Sequence, residues 1–251
     1  MGRRLAIPNQ YYMLEIVYSD SQLVAINKPH GLLVHRTGIA DDAEEFALQL
    51  LRDQIGQKVY PCHRIDRKTG GLLLFALDKP TEILMQQQFA ENRVHKKYLA
   101  IVRGYTDDSV EINYPLRKEN GTLQDAFTTF VTLNRAELEV PLGKHTTSRY
   151  SLIEVTPTTG RMHQIRKHMA HIFHPIIGDR THGCNKQNKL FSQKWDMSTM
   201  LLHAAHLTFN HPVRNIDVTI SACVQDEFKR VMTLMGWELP VQMEVNNFNK
   251  I

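Results

Sequence analysis

The segment His63-Arg64-Ile65-Asp66-Arg67-Lys68-Thr69-Gly70-Gly71 runs straight into the apolar stretch Leu72-Leu73-Leu74-Phe75-Ala76-Leu77. Six apolar residues without a polar interruption predict a strand buried on both faces, and such a strand needs cover from helices or loops on each side. The loop before it holds one carboxylate among three cationic side chains and a glycine pair. Nearby positive charge favours the ionised form of Asp66. A loop pinned by a core strand also presents a reactive group with fixed geometry. An ordinary surface Asp–Arg pair ahead of a core strand fits the same residues.

The remaining chain supplies the cover. Strands are predicted at Leu14–Tyr18, Leu23–Asn27, Lys58–Cys62, Leu72–Leu77, Lys97–Arg103, Phe127–Leu133, Thr147–Val155 and Met200–Phe209. Lys28-Pro29-His30-Gly31 punctuates the chain, and the polar segment Arg117–Gln124 around Asn120-Gly121 predicts a hairpin tip. Helical spacing covers four segments. The first starts at Asp41 or Asp42, uses Ala43, Phe46, Ala47, Leu50, Leu51 and Ile55, and closes at Gly56. Thr81–Asn92 offers Ile83, Leu84, Phe89 and Ala90 for packing. Gly160–Ile172 places Met162, Ile165 and Met169 on one face, and Gln225–Gly236 places Phe228, Val231, Met232 and Met235 on one face. Strands and helices mix without regular βαβ alternation. The expected fold is α+β, with a mixed, largely antiparallel central sheet and flanking helices. Residues 1–12 are expected to form a poorly ordered extension, and 13–251 a single domain.

Of 251 residues, 42% are hydrophobic, enough for a sizeable core, and the net charge of +4 is compatible with an anionic partner. No apolar stretch is long enough for a membrane span, and the first twelve residues lack the apolar centre of a signal peptide. Three scattered cysteines, Cys62, Cys184 and Cys223, have no C-x-x-C spacing. That argues against a disulfide framework and a thiolate zinc site, and the reading is a monomeric protein of a reducing cytoplasm.

Two further segments carry chemistry. In His95-Lys96-Lys97-Tyr98, cations precede an aromatic that opens an apolar strand, an arrangement that can stack a base while neutralising its phosphate. A core tyrosine with solvated lysines fits equally. Gly160–His171 contains Arg161, Arg166 and Lys167 and no acid, a natural partner for a phosphate backbone, or a solvated basic face. Eight of the thirteen histidines lie between His163 and His211. Their spacing matches no His-Glu-x-x-His site, so no metal is expected, and the cluster is expected either to face phosphate or to bond within the fold. The His-Arg-x-Asp run lacks the downstream Asn, the Gly-rich loop and the Asp-Phe-Gly of a kinase.

Taken together, these segments resemble the RluA-type family of RNA pseudouridine synthases. The residues that carry the resemblance are Asn27-Lys28-Pro29-His30-Gly31, the Asp66 loop, Lys96-Lys97-Tyr98, Thr159-Gly160-Arg161-Met162-His163-Gln164-Ile165-Arg166, His174-Pro175-Ile176-Ile177-Gly178-Asp179 and Leu202–Phe209, in the family's order. The departures are Ile65 for Leu and Gly70 for Ser. The resemblance implies a cofactor-free isomerase that converts a uridine of RNA to pseudouridine, with Asp66 as catalytic nucleophile. It implies Arg166 as the basic residue that pairs with Asp66 and orients it, and Tyr98 as the aromatic against the target base that can meet the C5 proton. Arg64 would fill the space left in the RNA stack by the flipped base, and Lys97, Arg161 and Lys167 would contact phosphates. Within the family, the compact form and the runs Thr146–Tyr150 and His174–His182 point to the subgroup acting on uridine 65 of tRNA. Ribosomal RNA as substrate, a non-catalytic RNA-binding module and a histidine-dependent metal hydrolase are the competing readings.

Overall fold

The computed structural model of the protein describes residues 13–35 and 45–238. In chain order the elements are β1 (Glu15–Ser19), β2 (Leu23–Lys28), α1 (Ala47–Ile55), β3 (Tyr60–Pro61), β4 (Gly70–Ala76), α2 (Lys79–Ala90), β5 (His95–Arg103), β6 (Ser109–Asn113), β7 (Leu116–Arg117), β8 (Leu123–Gln124), β9 (Phe127–Leu138), β10 (Ser148–Pro157), α3 (Gln164–His171), α4 (Asn185–Trp195), β11 (Leu202–Asn210), β12 (Asp217–Ser221) and α5 (Asp226–Leu234). The main sheet runs in the order β1-β2-β4-β11-β5-β10-β9-β6, with β12 on β11 and β3 on β4, and β7 and β8 form a separate hairpin. Among the named strands only β4 and β11 pair in parallel, through His203 with Gly70 and Ala204 with Gly71. The fold is α+β around a mixed, mostly antiparallel sheet.

Both β2 and β4 are buried along their whole length, as the uninterrupted Leu72–Leu77 run requires. Side-chain alternation divides their residues between two layers. Leu73 and Phe75 of β4 pack with Ala47 and Leu51 of α1, whereas Leu72 and Leu74 pack with Met85 of α2. Farther along the sheet, Leu99 and Ile101 of β5 meet Phe191 of α4 and Phe228 of α5. Ala100 and Val102 meet Ile165 and Met169 of α3 on the opposite face. Each fully buried Leu or Phe contributes about 1.5–3 kcal/mol. The two halves join at the short β4–β11 seam. There Gly71 has φ +103°, and a Cβ on it would stand 2.2 Å from the Ala204 carbonyl oxygen, so only glycine lets the strands meet.

Several helices differ from expectation. Helix α1 begins at Ala47, because Phe46 is extended and bridges Leu33; Asp41, Asp42 and Ala43 lie outside the described residues, as does the 1–12 extension. Gly56 closes the helix in the left-handed region. Helix α2 is capped by Asp78, whose carboxylate accepts from the Thr81 N–H at 2.8 Å. It packs Phe89 as expected and buries Thr81, Met85 and Gln88, but leaves Ile83 and Leu84 exposed. Helix α3 starts at Gln164, not Gly160, because the Gln164 side chain ties down the preceding turn. Its Oε1 accepts from Thr159 Oγ1 and the Arg161 N–H, and its Nε2 donates to the Phe127 carbonyl and Thr128 Oγ1. Met162 is thereby left exposed. No helix among the described residues is long and apolar enough to cross a membrane.

Candidate active site

A cleft of about 350 Å³ opens on the α2–α3 face, within the range of ligand pockets. Its floor includes Tyr98 and Lys96 of β5 and Leu202 of β11; Asp66 and Arg64 come from the loop before β4, and His163 and Arg166 from the start of α3. The three sequence-predicted residues Asp66, Tyr98 and Arg166, separated by up to a hundred positions, therefore line one cavity.

The Asp66 loop is fixed from below. Lys28, fully buried at the end of β2, donates from Nζ to the carbonyls of Pro29, Leu32 and Arg67 at 2.9, 2.9 and 3.2 Å. Burial pushes this ammonium down to about 7, against the pull of Asp66. Its three acceptors match the three hydrogens of the charged form. His30 adds a bond to the Lys68 carbonyl at 2.8 Å. The ring of His30 occupies the space beside Gly70, where an added Cβ would stand 2.7 Å from His30 Nε2. Glycine in place of the family's usual serine is thus matched by a histidine next to it. At the other end of the loop, His63 accepts from the Leu74 N–H and stacks on Phe89; burial, then the charge of Lys96, pushes it down to about 3.

Arg166 is buried between two carboxylates. Nη1 donates to Asp66 Oδ2 at 2.8 Å, while Nε and Nη2 form a bidentate pair with Asp179, each at 2.8 Å. Asp179 also accepts the backbone N–H groups of Thr181 and His182. Burial opposes its ionisation, but the Arg166 bonds and these amides outweigh that and hold it below the usual range. The bidentate pair fixes the guanidinium plane, and the plane fixes the aspartate. His163, at the left-handed start of α3, places Nε2 3.8 Å from Asp66 Oδ2 and bonds through Nδ1 to His182 at 2.9 Å. Burial, with Arg166 and Lys167, pushes His163 down despite Asp66. Burial and then the Asp66 charge push the Tyr98 phenol up, so the cleft presents it protonated at neutral pH.

The cations divide. Arg64 is exposed at the cleft mouth. Arg161 lines the cleft and donates from Nε to the Asp125 carbonyl. Lys167 lies beside Arg161 and Met162 in a depression next to the β7–β8 hairpin. Lys97 is not brought to the cleft: strand alternation turns it from Tyr98, and it pairs with Glu154 at 2.7 Å. Lys96 faces inward instead, and burial pushes its ammonium down. The sequence reading assigns no individual role to Lys28, His163 or Asp179, and takes Lys96 only together with Lys97, as cations ahead of the aromatic. The period-two pattern around Tyr98 was the available signal for Lys96, and the buried β2 for Lys28.

The histidines of the 163–211 stretch bond within the fold: His168 with Thr128 and the Tyr114 carbonyl, His174 with the Arg103 carbonyl, His203 with the Ala222 carbonyl, and His211 with Asp20. Among the described residues no group of three His, Cys, Asp or Glu side chains is placed to hold a metal ion.

A carboxylate clamped by a guanidinium, beside an aromatic wall and under a cationic rim, suits one flat, neutral base attached to a phosphate chain. Comparison with known proteins agrees. The chain is 43% identical over 234 residues to tRNA pseudouridine synthase C of Haemophilus ducreyi, covering 89% of this chain and 96% of the relative. It is 42% identical over 236 residues to tRNA pseudouridine synthase C of Vibrio parahaemolyticus, covering 90% and 96%. The solved structure of human RNA Pseudouridylate Synthase Domain Containing 1 superposes with a TM-score of 0.68 at 23% identity, covering 93% of this chain and 99% of that one, a likeness of fold. Residues 22–171 match the family described as RNA pseudouridylate synthase. The chain belongs to that family, and it is an RNA pseudouridine synthase, an isomerase.

Proposed function

We propose that the enzyme converts uridine 65 of tRNA to pseudouridine, with Asp66 as the nucleophile. The observation that carries this reading is the Asp66 carboxylate held at 2.8 Å by Arg166 inside a cleft walled by Tyr98. The isomerisation breaks the N1–C1′ bond, turns the uracil and rejoins it through C5, releasing the C5 proton. Ring addition, attack at C1′ and abstraction of a sugar proton all begin from the same ionised, oriented oxygen pair. The target base leaves its stack to enter the cleft, at a cost of a few kcal/mol. Arg64, exposed at the rim, fills the gap it leaves, and Tyr98 packs against it. Phosphate contact falls to Arg161 and Lys167, with Lys96 rather than Lys97 facing the bound nucleotide.

The test is tritium release from 5-tritiated uridine in tRNA, together with mapping of the product. Wild-type enzyme is expected to release tritium and place pseudouridine at position 65; Asp66→Ala is expected to bind the RNA and release none. Turnover by that variant would end the nucleophile assignment, and product at another position or only in ribosomal RNA would end the substrate assignment. Binding by the wild type without any release would favour a non-catalytic RNA-binding module.

A further inference from the structure

We propose that a basic groove at the far end of β5 binds the sugar–phosphate backbone of the substrate RNA outside the cleft. The groove is open, about 860 Å³ in volume, and lined by Arg103, Lys144, His145, Arg149 and Lys186 with no carboxylate. Four lysines and arginines around one concavity create a positive potential that selects a polyanion.

Two of these cations are tied to the fold. Arg149 pairs with Glu137 at 3.2 Å and lies over the Tyr105 ring. Arg103 points a guanidinium nitrogen at Cys184 Sγ, 3.8 Å away. Lys144 and Lys186 pair with no carboxylate among the described residues. Lys144 stands at the tip of a two-residue turn closed by Leu142 and His145, with Gly143 at φ +63°. That turn fixes the backbone from which the Lys144 side chain projects. Lys186 is in the first turn of α4, whose N-terminal dipole adds to the same field.

The groove is coupled to the cleft by two rigid connections. β5 carries Tyr98 in its middle and Arg103 at its end, a rise of roughly 17 Å over five residues, and strand alternation turns the Arg103 side chain to the α4 face, at Cys184. The turn that begins at Asp179, the clamp on Arg166, ends at Cys184 in the groove wall. A single flipped uridine needs nothing at that distance. A folded RNA whose uridine lies in the cleft carries its sugar–phosphate backbone well beyond the cleft. The groove therefore reads the presence of continued RNA structure, and it favours a folded RNA over a short strand. This inference rests on RNA being the substrate, and an acidic protein is the alternative occupant.

The test is binding of bulk tRNA as a function of KCl, measured by fluorescence anisotropy, alongside steady-state turnover. Compared with wild type, Lys144→Ala/Lys186→Ala is expected to lower the slope of log K against log salt by about 2 and to weaken binding roughly tenfold near 0.15 M salt. KM should rise while kcat at saturating RNA stays within twofold, which reports an undisturbed cleft. Lys144→Arg/Lys186→Arg should restore slope and affinity. An unchanged slope and affinity in the alanine variant overturns the proposal, whether the groove holds an acidic protein or nothing. So does a fall in kcat with affinity unmoved. Failure of the uridine 65 assignment would look different: wild type would still bind with its full salt slope but leave position 65 unmodified.

Discussion

Asp179 takes the Nε and Nη2 hydrogens of Arg166, each at 2.8 Å, and so leaves only Nη1 for Asp66. The Asp66 carboxylate is thus held by a guanidinium that is itself held. Asp179→Ala would strand a buried Arg166 charge with one partner in place of two. Breaking such a pair costs about 3–5 kcal/mol, a fall of roughly 6–20 °C in Tm for a chain this size. Calorimetry of the variant checks the stability, and tritium release checks that turnover falls with it.

The same pair predicts a pH window. Asp179 lies below its ordinary value in the fold. Its contribution is therefore complete above the unfolded value of about 3.9 and is lost as pH falls through the lower folded value. The Tm difference between wild type and Asp179→Asn should be constant near neutrality and shrink below about pH 4. A difference that persists unchanged in acid would assign the effect to shape rather than charge.

Arg166→Lys keeps the charge and loses the fork. A lysine cannot make the planar two-oxygen contact with Asp179 and reach Asp66 at once. We expect kcat to fall by about 10²-fold with the RNA affinity little changed, the cost of a misplaced reacting group. A rate within twofold of wild type would show that charge alone is sufficient.

Tyr98→Phe retains the ring and removes the hydroxyl. If that hydroxyl meets the C5 proton, tritium release slows by about 10²–10⁴-fold, the usual share of general acid–base catalysis, at unchanged affinity. Tyr98→Leu should weaken RNA binding as well, by about 1–3 kcal/mol of stacking. Equal kinetics for Tyr98→Phe and wild type would leave the ring a packing role only.

Gly70→Ser tests the match between loop and histidine. The new Cβ would stand 2.7 Å from His30 Nε2, so the ring or the loop must shift and both rate and stability should drop. Gly70→Ser/His30→Ala removes the obstacle and should recover much of the rate, a positive coupling readable in a double-mutant cycle. Independent, additive losses would dissociate the two positions.

The sequence carried the parts of this molecule that announce themselves over a few residues. The Leu72–Leu77 run became the buried β4, and the Phe228, Val231 and Met232 spacing became α5. Elements at the margins did not announce themselves. β6 buries only Ile112, β12 only Val218 and Ile220, and α4 only Gln187 and Phe191 among polar neighbours. Asp66, Tyr98 and Arg166 were visible because each sits in a motif, and the cleft brings them together. Asp179 and Lys28 were present in motifs too, but what they hold lies thirteen and thirty-nine residues away. Contacts of that range leave no local periodicity. Lys97 and Lys96 were separable only by the alternation of β5, which decides which of two adjacent ammonium groups faces the cleft.

The short parallel seam between Gly70–Gly71 and His203–Ala204 has a consequence for biosynthesis. The loop that carries Asp66 is anchored against a strand synthesised more than 130 residues later, after all of α3 and α4. Closing so large a loop costs entropy that only the finished sheet can offset. A nascent polypeptide made only as far as α4 therefore carries Asp66, Tyr98 and Arg166 without the seam that assembles their cleft.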